Sequence, residues 1–543
     1  MSEIHGRQSL RSFLDQLSRA GNNSLRIIED ETDTEYEITA YSLITAGENP
    51  ALLFKNIKDY PDFSIVTNLL GSEERIAMAT GYGNIPDFLR KWNSVLSGDD
   101  IFFIDTLESK PPVKEIIRKG NDVDIFSLPV PRHYISDGSR SGFGRYITSG
   151  LVLSRDPRNE DILNLSFTRI QLIGRDRYAF DAGSHGNLWG YLDYCRKNGK
   201  KLEVSVIIGA HPVFYILGAA FTRNEYAKAG GIINAGYTSG ISNDLPVPSD
   251  SEIVVEAECS PDETFDEGPF AEYTGYMGQD STKNVAHVKT IMSRKTPIFY
   301  DIQPSNSSEH INLFSMSRTA AVTESLRKFM PKGPVYSIVW PHYGSRYLSL
   351  GYVENGSMAI ARQFGTGIVG TDSLWGKIVF INNGKTDLAF ERAMMNLAQT
   401  DISKGENILI FRNMYIISSD ITSETDGTAG KVLFTTSGTQ EKIMKYSSKD
   451  KTELLSGDSK VVISHRMQEN GNLNLQVADD IDLSDMEKIG WAIATRMNPQ
   501  HDLEVKDNRI FMKAIRKHPE IPAIPENIMN MVRKKMRQIP DTD

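Results

Sequence analysis

The chain has 543 residues, 40% of them apolar and 24% charged, which excludes a disordered polymer and supplies apolar cores for about three to four domains. A net charge of −10 excludes the broadly basic surface that nucleic acid or anionic membrane requires. Only Cys195 and Cys259 occur, no apolar run reaches the ~18 residues of a membrane span, and residues 1–12 lack a signal-peptide core, so a cytoplasmic protein without a disulfide framework, a membrane span or a nucleic-acid partner is expected.

In residues 8–20, Leu10, Phe13, Leu14 and Leu17 fall at helical spacing and predict a helix with one apolar face. Short strands follow at 25–28, 51–54 and 63–66, then a helix over 85–95 that Pro86 can only begin. Pro111-Pro112 opens a break, and the pattern becomes turn-rich and strand-rich near 121–124. The glycine-rich run 136–144 lacks phosphate-loop spacing and reads as a flexible loop. Strands are predicted at 147–153, 164–172, 202–208, 252–256, 286–292 and 296–301. Helices are predicted at 188–197, behind good N-cap chemistry, and at 225–233. So many strands in one region predict a β-barrel or sandwich with attached helices. From about residue 316 the alternation becomes β-α-β: a helix at 319–329, strands at 335–339, 376–381 and 407–411, and a helix at 389–400. Residues 442–451 read as a charged surface excursion. The strand 472–477 and helix 485–497 echo the strand and helix of 376–400. A terminal helix at 524–536 is basic on one side, with Ile528, Met529 and Val532 available to dock or to exchange with a neighbouring chain.

Four groups of residues carry chemistry. Glu267 and Glu272 are five residues apart, across Gly268-Pro269. On a helix such positions sit about 140° apart, and on a strand they face opposite sides. Glycine and proline stop both elements, so a turn can aim both carboxylates into one cleft, where different environments split an ionised group from a proton donor. Asn164 and Arg169 are also five apart, which needs a strand that bulges or ends between them, or a long ligand gripped at both ends. His185 and Glu225, with Asn164, make a mostly hard ligand set that suits Mn²⁺ or Mg²⁺ more than zinc and leaves room for phosphate oxygens. No Gly-x-Gly-x-x-Gly fingerprint is present, against a dinucleotide Rossmann site.

The segments SLRSFLDQL, NPALLFKNIKDYP, DVDIFSLPVP, GRYITSGLVLSRDP, NLSFTR, Ser184-His185, NEYAKAGG and, most specifically, VPSDSEIVVEAECSPDETFDEGPFAEYTGY resemble, in this order, the UbiD family of reversible decarboxylases that use prenylated FMN. The likeness runs from about residue 8 to 440. It implies an α+β multidomain chain: an N-terminal α/β domain (1–122), a central split β-barrel that binds the flavin and carries the metal and catalytic residues (123–315), a C-terminal α/β domain (316–505) and a helical tail available for an oligomer contact (506–543). By position it implies Mn²⁺ on Asn164, His185 and Glu225, bridging to the cofactor phosphate, with K⁺ or Na⁺ nearby. Asn164, Leu165, Ser166, Phe167, Thr168, Arg169, Ser184, His185 and Glu225 would line the prenylated FMN, and Lys377 would contact its phosphate. Arg169, Glu267 and Glu272 would form the catalytic network, with His310, Phe314 and Lys431 toward the substrate. The sequence departs from the family at Ile381–Asp387, where the family has an acidic run. A closer copy of that run stands later, at Ala478–Leu483, followed by Trp491–Pro499 and Asp502, which implies an extended or rearranged C-terminal domain.

The implied reaction is non-oxidative, reversible decarboxylation of an aromatic, heteroaromatic or α,β-unsaturated acid through a covalent adduct with prenylated FMN. Arg169 would orient the carboxylate, Glu267 would hold Arg169, and Glu272 would be the proton donor, a role that burial beside Phe270 and the tyrosines favours. A flavin prenyltransferase would supply the cofactor to a homodimer or homohexamer. The alternatives are a carboxylase working in the CO2-fixing direction, a non-catalytic flavin- or metal-binding subunit, and a flavin-free carboxylate-pair hydrolase.

Overall fold

The computed structural model describes residues 7–21, 24–98, 108–183, 186–220, 222–371, 375–438 and 441–537. It divides into two compact units, one formed by residues 1–317 with 521–543 and the other by 318–520. The division falls inside a helix, Ser308–Arg327, that starts eleven residues before the 319–329 helix expected from sequence. Its early turns carry Glu309, Asn312 and several serines, and these polar residues hide the helical period.

In the first unit, the helix Leu10–Ala20 buries Leu10, Phe13, Leu14 and Leu17, as the spacing predicts. Ser9 and Ser12 cap its first turn reciprocally. Each of these apolar side chains contributes roughly 1.5–3 kcal/mol on burial. The strands Leu25–Ile28, Ala51–Phe54 and Ser64–Thr67 form a sheet completed by Ile298–Tyr300, whose Phe299 pairs with Ile65 in parallel. The strand expected at 296–301, about 230 residues downstream, therefore closes the N-terminal sheet, a pairing that no local pattern announces.

The site is built on a nine-stranded sheet in the same unit. Its path runs Tyr146–Ile147, Ile170–Gly174, Arg177–Phe180, Ser281–Ser293, Ile253–Glu267, Leu202–Ile208, Leu151–Asp156 and Asn159–Phe167, and Ile116–Lys119 also pairs with Ser281–Ser293. The strand expected at 252–256 is in fact fifteen residues long and reaches Glu267. Its outer half, SPDETFDE, is polar and β-poor, and it stays extended because it pairs with Ser281–Ser293 through two register shifts. The strand expected over 164–172 is two strands, Asn159–Phe167 and Ile170–Gly174, with Thr168 and Arg169 in the break.

The second unit holds two sheets. In the first, Ile378–Asn383 lies between Leu348–Glu354 and Thr428–Thr436 and is parallel to both, with Val335–Val339 and Ile408–Tyr415 antiparallel at the edges. In the second, Leu473–Val477 lies parallel to Ser459–Ser464 and to Arg509–Ala514. The echo in the sequence is thus two copies of one environment: a parallel strand between parallel neighbours, followed by a helix, Phe390–Gln399 or Met486–Arg496. Ile378–Asn383 begins as the continuous apolar run expected of a strand covered on both faces, whereas Leu473–Val477 interleaves Asn474 and Gln476 with its apolar residues. The charged excursion at 442–451 contains an exposed edge strand, Met444–Ser447. Among the described residues, no helix is long and apolar enough to cross a membrane.

Candidate active site

The break between Asn159–Phe167 and Ile170–Gly174 resolves the five-residue problem of Asn164 and Arg169. Asn164 belongs to the strand, paired with Ser154, whereas Arg169 lies beyond its end and is released from the alternation. A second break does the same for the glutamates. Ile253–Glu267 stops at Glu267, the chain turns through Gly268 at φ 109°, a conformation that favours glycine, and Glu272 comes back within reach.

Arg169 gathers the carboxylates. Its Nε donates to Glu267 Oε1 at 2.8 Å and its Nη2 to Glu267 Oε2 at 3.0 Å, a bidentate fork. Its Nη1 donates to Glu272 Oε1 at 2.7 Å. The guanidinium carbon sits 5.6 Å from the centre of the Phe270 ring, which itself packs on Tyr146. Burial works against the charge on Arg169, but Glu272 and Glu267 outweigh it and raise its pKa well above the ordinary arginine value. The two glutamates differ as their positions suggest: the Glu267 side chain is 2% exposed and that of Glu272 is 29% exposed. The burial of Glu272 favoured by its neighbours is therefore only partial, because its open side faces outward beside Arg169.

Two further charged residues join this network, and sequence reasoning assigned neither a role. Asp181 Oδ2 lies 3.6 Å from Arg169 Nη2, and Asp181 Oδ1 lies 2.8 Å from Lys283 Nζ. Burial pushes the Asp181 carboxyl upward, but Arg169 and Lys283 outweigh that effect and hold it below the usual carboxylate range. Thr168 Oγ1 donates to the Asp181 carbonyl and ties the Arg169 break to the loop that leads toward His185. The available signal was Lys283 itself, a charge in the alternating strand Ser281–Ser293 that points toward the cleft with its side chain 18% exposed.

The hairpin carrying Glu272 is tightly closed. Ala271 bridges Met277, Glu272 N donates to Tyr276 O at 2.8 Å, and Gly278 N donates to Phe270 O at 2.8 Å. A Cβ at Gly278 would lie 2.8 Å from Glu272 Cγ and 3.0 Å from its Oε1. Gly278 therefore leaves the space in which Glu272 lies. Gly278→Ala is expected to lengthen the Arg169–Glu272 contact beyond hydrogen-bond range in a crystal structure of the variant, at an overpacking cost of about 1–3 kcal/mol in denaturant unfolding. An unchanged contact would show that the glycine is dispensable. The glycine-rich run 136–144, expected to be a loose loop, instead supports this hairpin: Gly138 N donates to Pro269 O at 2.8 Å, and Gln171 Nε2 donates to Ser141 Oγ and Phe143 O.

Two of the expected metal ligands come together. Glu225 begins the helix Glu225–Ile233, and its Oε1 accepts from Leu165 N at 2.8 Å, next to Asn164. Asn164 Nδ2 donates to Ser166 Oγ, and its Oδ1 accepts from Asn187 Nδ2. Burial raises the pKa of the Glu225 carboxyl, against the weaker pull of the Leu165 N–H and Lys228. A buried carboxylate bonded to the residue next to a buried asparagine brings a donor set that fits a hard divalent cation, which would offset the cost of keeping Glu225 ionised. Ser184 and His185 lie outside the described residues. Among those described, no three His, Cys, Asp or Glu side chains gather into a metal cluster, so a full ligand set would have to draw on Asn164 or on a residue beyond them.

Leu165 is buried, Phe167 packs against Tyr215, and His310 packs on Phe314 while its Nδ1 pairs with Ser305 O at 2.8 Å. Lys377 and Lys431 belong to the second unit. Lys377 Nζ pairs with Asp420 Oδ2 at 2.9 Å, both side chains fully buried, and burial lowers its pKa against the pull of Asp420. Lys431 Nζ, also buried, donates to Trp375 O at 2.7 Å. Asp480, from the later acidic run, holds the buried Arg496 through two bonds of 2.6 and 2.7 Å, with the guanidinium over Trp491.

Comparison with known proteins follows the same division. Three models of the 3-octaprenyl-4-hydroxybenzoate carboxy-lyase (UbiD) family match: its N-terminal domain at residues 15–92, its Rift-related domain at 105–307 and its C-terminal domain at 465–521. The last contains the later acidic run, so the family's C-terminal pattern stands there and not at 381–387. A phenolic acid decarboxylase of Streptomyces sp. (strain D7) is 29% identical over 354 residues, 61% of this chain and 72% of the relative. The structure of the UbiD-class enzyme HmfF from Pelotomaculum thermopropionicum in complex with FMN superposes with a TM-score of 0.71 at 26% identity, covering 79% of this chain and 94% of that one. An evolved dimeric form of the same enzyme, in complex with prenylated FMN (prFMN), gives 0.69 at 25% identity, covering 80% and 95%.

Proposed function

We propose that this chain, which belongs to the UbiD family, is a carboxy-lyase acting on aromatic acids, with heteroaromatic and α,β-unsaturated acids as close variants. The observation that carries the reading is Arg169, gripped through one edge by the buried Glu267 and touching the more open Glu272 with another N–H. Arginine has five N–H bonds; Glu267 and Glu272 take three, Asp181 lies 3.6 Å from Nη2, and the second N–H of Nη1 is left for a substrate carboxylate. Glu267 fixes the guanidinium so that this N–H keeps its aim. Glu272, on the solvent side of the same group, delivers a proton to the carbon that loses CO2. Asp181, itself held by Lys283, adds a third carboxylate beside the Arg169 guanidinium.

Prenylated FMN, when bound, would supply the electron sink that no side chain offers. Leu165, Ser166, Phe167, Thr168 and Ser184 line it in this reading. Asn164 and Glu225, with His185, would hold Mn²⁺, and K⁺ or Na⁺ would accompany it. His310 and Phe314 lie toward the substrate, and a flavin prenyltransferase provides the cofactor.

The test is co-production with a flavin prenyltransferase, followed by CO2 release from a panel of aromatic acids. Release that requires the flavin supports the reading. Hydrolysis without flavin would favour a carboxylate-pair hydrolase, and inert protein with bound flavin would favour a carrier. The same assay under high bicarbonate decides the direction. The metal has its own check: Mn²⁺ at about 100 times its Kd adds about 2.7 kcal/mol to unfolding stability. Wild type is expected to melt higher with Mn²⁺ and Glu225→Gln is not, and equal shifts in both proteins would remove Glu225 from the ligand set.

A further inference from the structure

We infer that the C-terminal tail is part of the acid–base apparatus: Ile524, through Tyr134, Ala271 and Met277, positions the hairpin that carries Glu272. The inference rests on the carboxy-lyase reading above, because it assigns Glu272 a proton to deliver.

The geometry begins at the hairpin. Ala271 and Met277 form the bridge that closes it, and Ala271 directly precedes Glu272. Both are buried, and they cluster with the buried Tyr134. Ile524 is the partly buried side chain packed against that cluster. It arrives from about 250 residues away in sequence, past the whole second unit, since residues 521–543 return to the first.

The tail is held at both ends of this contact. Ile135 N donates to Ala523 O at 3.0 Å, on the residue next to Tyr134. Farther on, the helix Glu526–Met536 buries Val532 completely and packs on the helix Glu37–Ile44. There Lys535 Nζ reaches Glu37 Oε2 and Glu31 O, each at 2.9 Å. Pro522 and Pro525 bracket Ala523-Ile524 and restrict its backbone, so the segment acts as a stiff strap and not as a tether. Tyr134 is fixed from its other side, where Gln303 Nε2 donates to its hydroxyl at 3.1 Å. The Ala271–Met277 pair therefore shares one buried cluster with a fixed tyrosine and a strapped isoleucine, and the reach of Glu272 toward Arg169 follows from where that pair sits.

Full-length protein carrying prenylated FMN and Mn²⁺ tests this, with activity expressed per bound flavin. A displacement near 1 Å at a reacting group costs up to about 10²-fold. Ile524→Ala is expected to lower kcat about tenfold, with KM nearly unchanged and a larger solvent deuterium isotope effect on kcat, because proton delivery becomes slower. Ile524→Leu is expected to restore both quantities. A contact that only stabilised the fold would reduce the loaded fraction and leave the isotope effect where it was. Should Ile524→Ala not fold, Ile524→Val carries the same test with a smaller drop. If kcat and the isotope effect stay at wild-type values in a folded variant while Glu272→Gln is inactive, the positioning role is overturned. If Glu272→Gln itself turns over normally, the assignment of Glu272 as proton donor is what fails, while absence of flavin-dependent CO2 release from the wild type would be the failure of the carboxy-lyase reading.

Discussion

Glu272→Gln is expected to lower turnover by about 10²–10⁴-fold, the usual contribution of a positioned general acid, while flavin binding stays at the wild-type level. Glutamine keeps the shape of the side chain and still offers Arg169 an amide oxygen in place of Oε1, at 2.7 Å in the wild type. What it loses is a proton that can leave. Cofactor retention, read from the flavin absorbance of purified protein, separates this from a folding defect. The pair of changes at the arginine sharpens the comparison. Glu267→Gln removes the charged half of a fork that is almost wholly buried, so it is expected to lower stability as well as turnover, whereas the exposed flank of Glu272 makes its replacement nearly silent in stability. Turnover of Glu272→Gln at the wild-type rate would end the assignment of the proton donor.

Lys377→Ala is expected to destabilise the protein by about 3–5 kcal/mol, read from urea unfolding. The reason is the partner left behind. Asp420 is fully buried, and without the ammonium 2.9 Å away it has to be protonated or to draw in water. Thr422 already gives Asp420 Oδ1 its N–H and hydroxyl, so the other oxygen depends on the lysine. Replacing both partners, with Lys377→Met and Asp420→Leu, is expected to recover most of the loss, since a buried ion pair and an apolar pair of similar volume are often close in free energy. The double variant also decides whether Lys377 serves the cofactor. Flavin retained in a stable double variant makes the lysine structural, and flavin lost from a stable one makes it a phosphate ligand. A single variant as stable as wild type would refute the buried-pair argument.

Much of the site was legible from the chain alone, and the particular residues show why. Glu267 and Glu272 stood out because Gly268-Pro269 excludes both regular elements between them, a covalent restriction that operates before any folding. Asn164 and Arg169 posed a clear condition, a strand that ends, and the break at Thr168 meets it. The helix over Leu10–Ala20 and the paired strand–helix units of the second unit were readable because a side chain's period reports which face is buried. The long strand Ile253–Glu267 was not readable beyond its apolar half, because its outer residues are extended only through their pairing. The 136–144 run looked loose because its glycines report what the backbone can do and not what it supports.

The sequence by itself announced many of the elements, through local sterics and side-chain period, and the family pattern with its catalytic residue types, through the resemblance of its motifs. Tertiary structure alone decided which charges meet and how open each one is. Asp181 pairs with both Arg169 and Lys283, Glu225 bonds to Leu165 next to Asn164, Lys377 pairs with Asp420, and Ile524 packs against the cluster of Tyr134, Ala271 and Met277, across separations of up to about 250 residues. Such contacts are set by sheet register and by where a returning segment docks. Those depend on burial and pairing summed over the whole unit, and the identity of neighbouring residues carries no record of them.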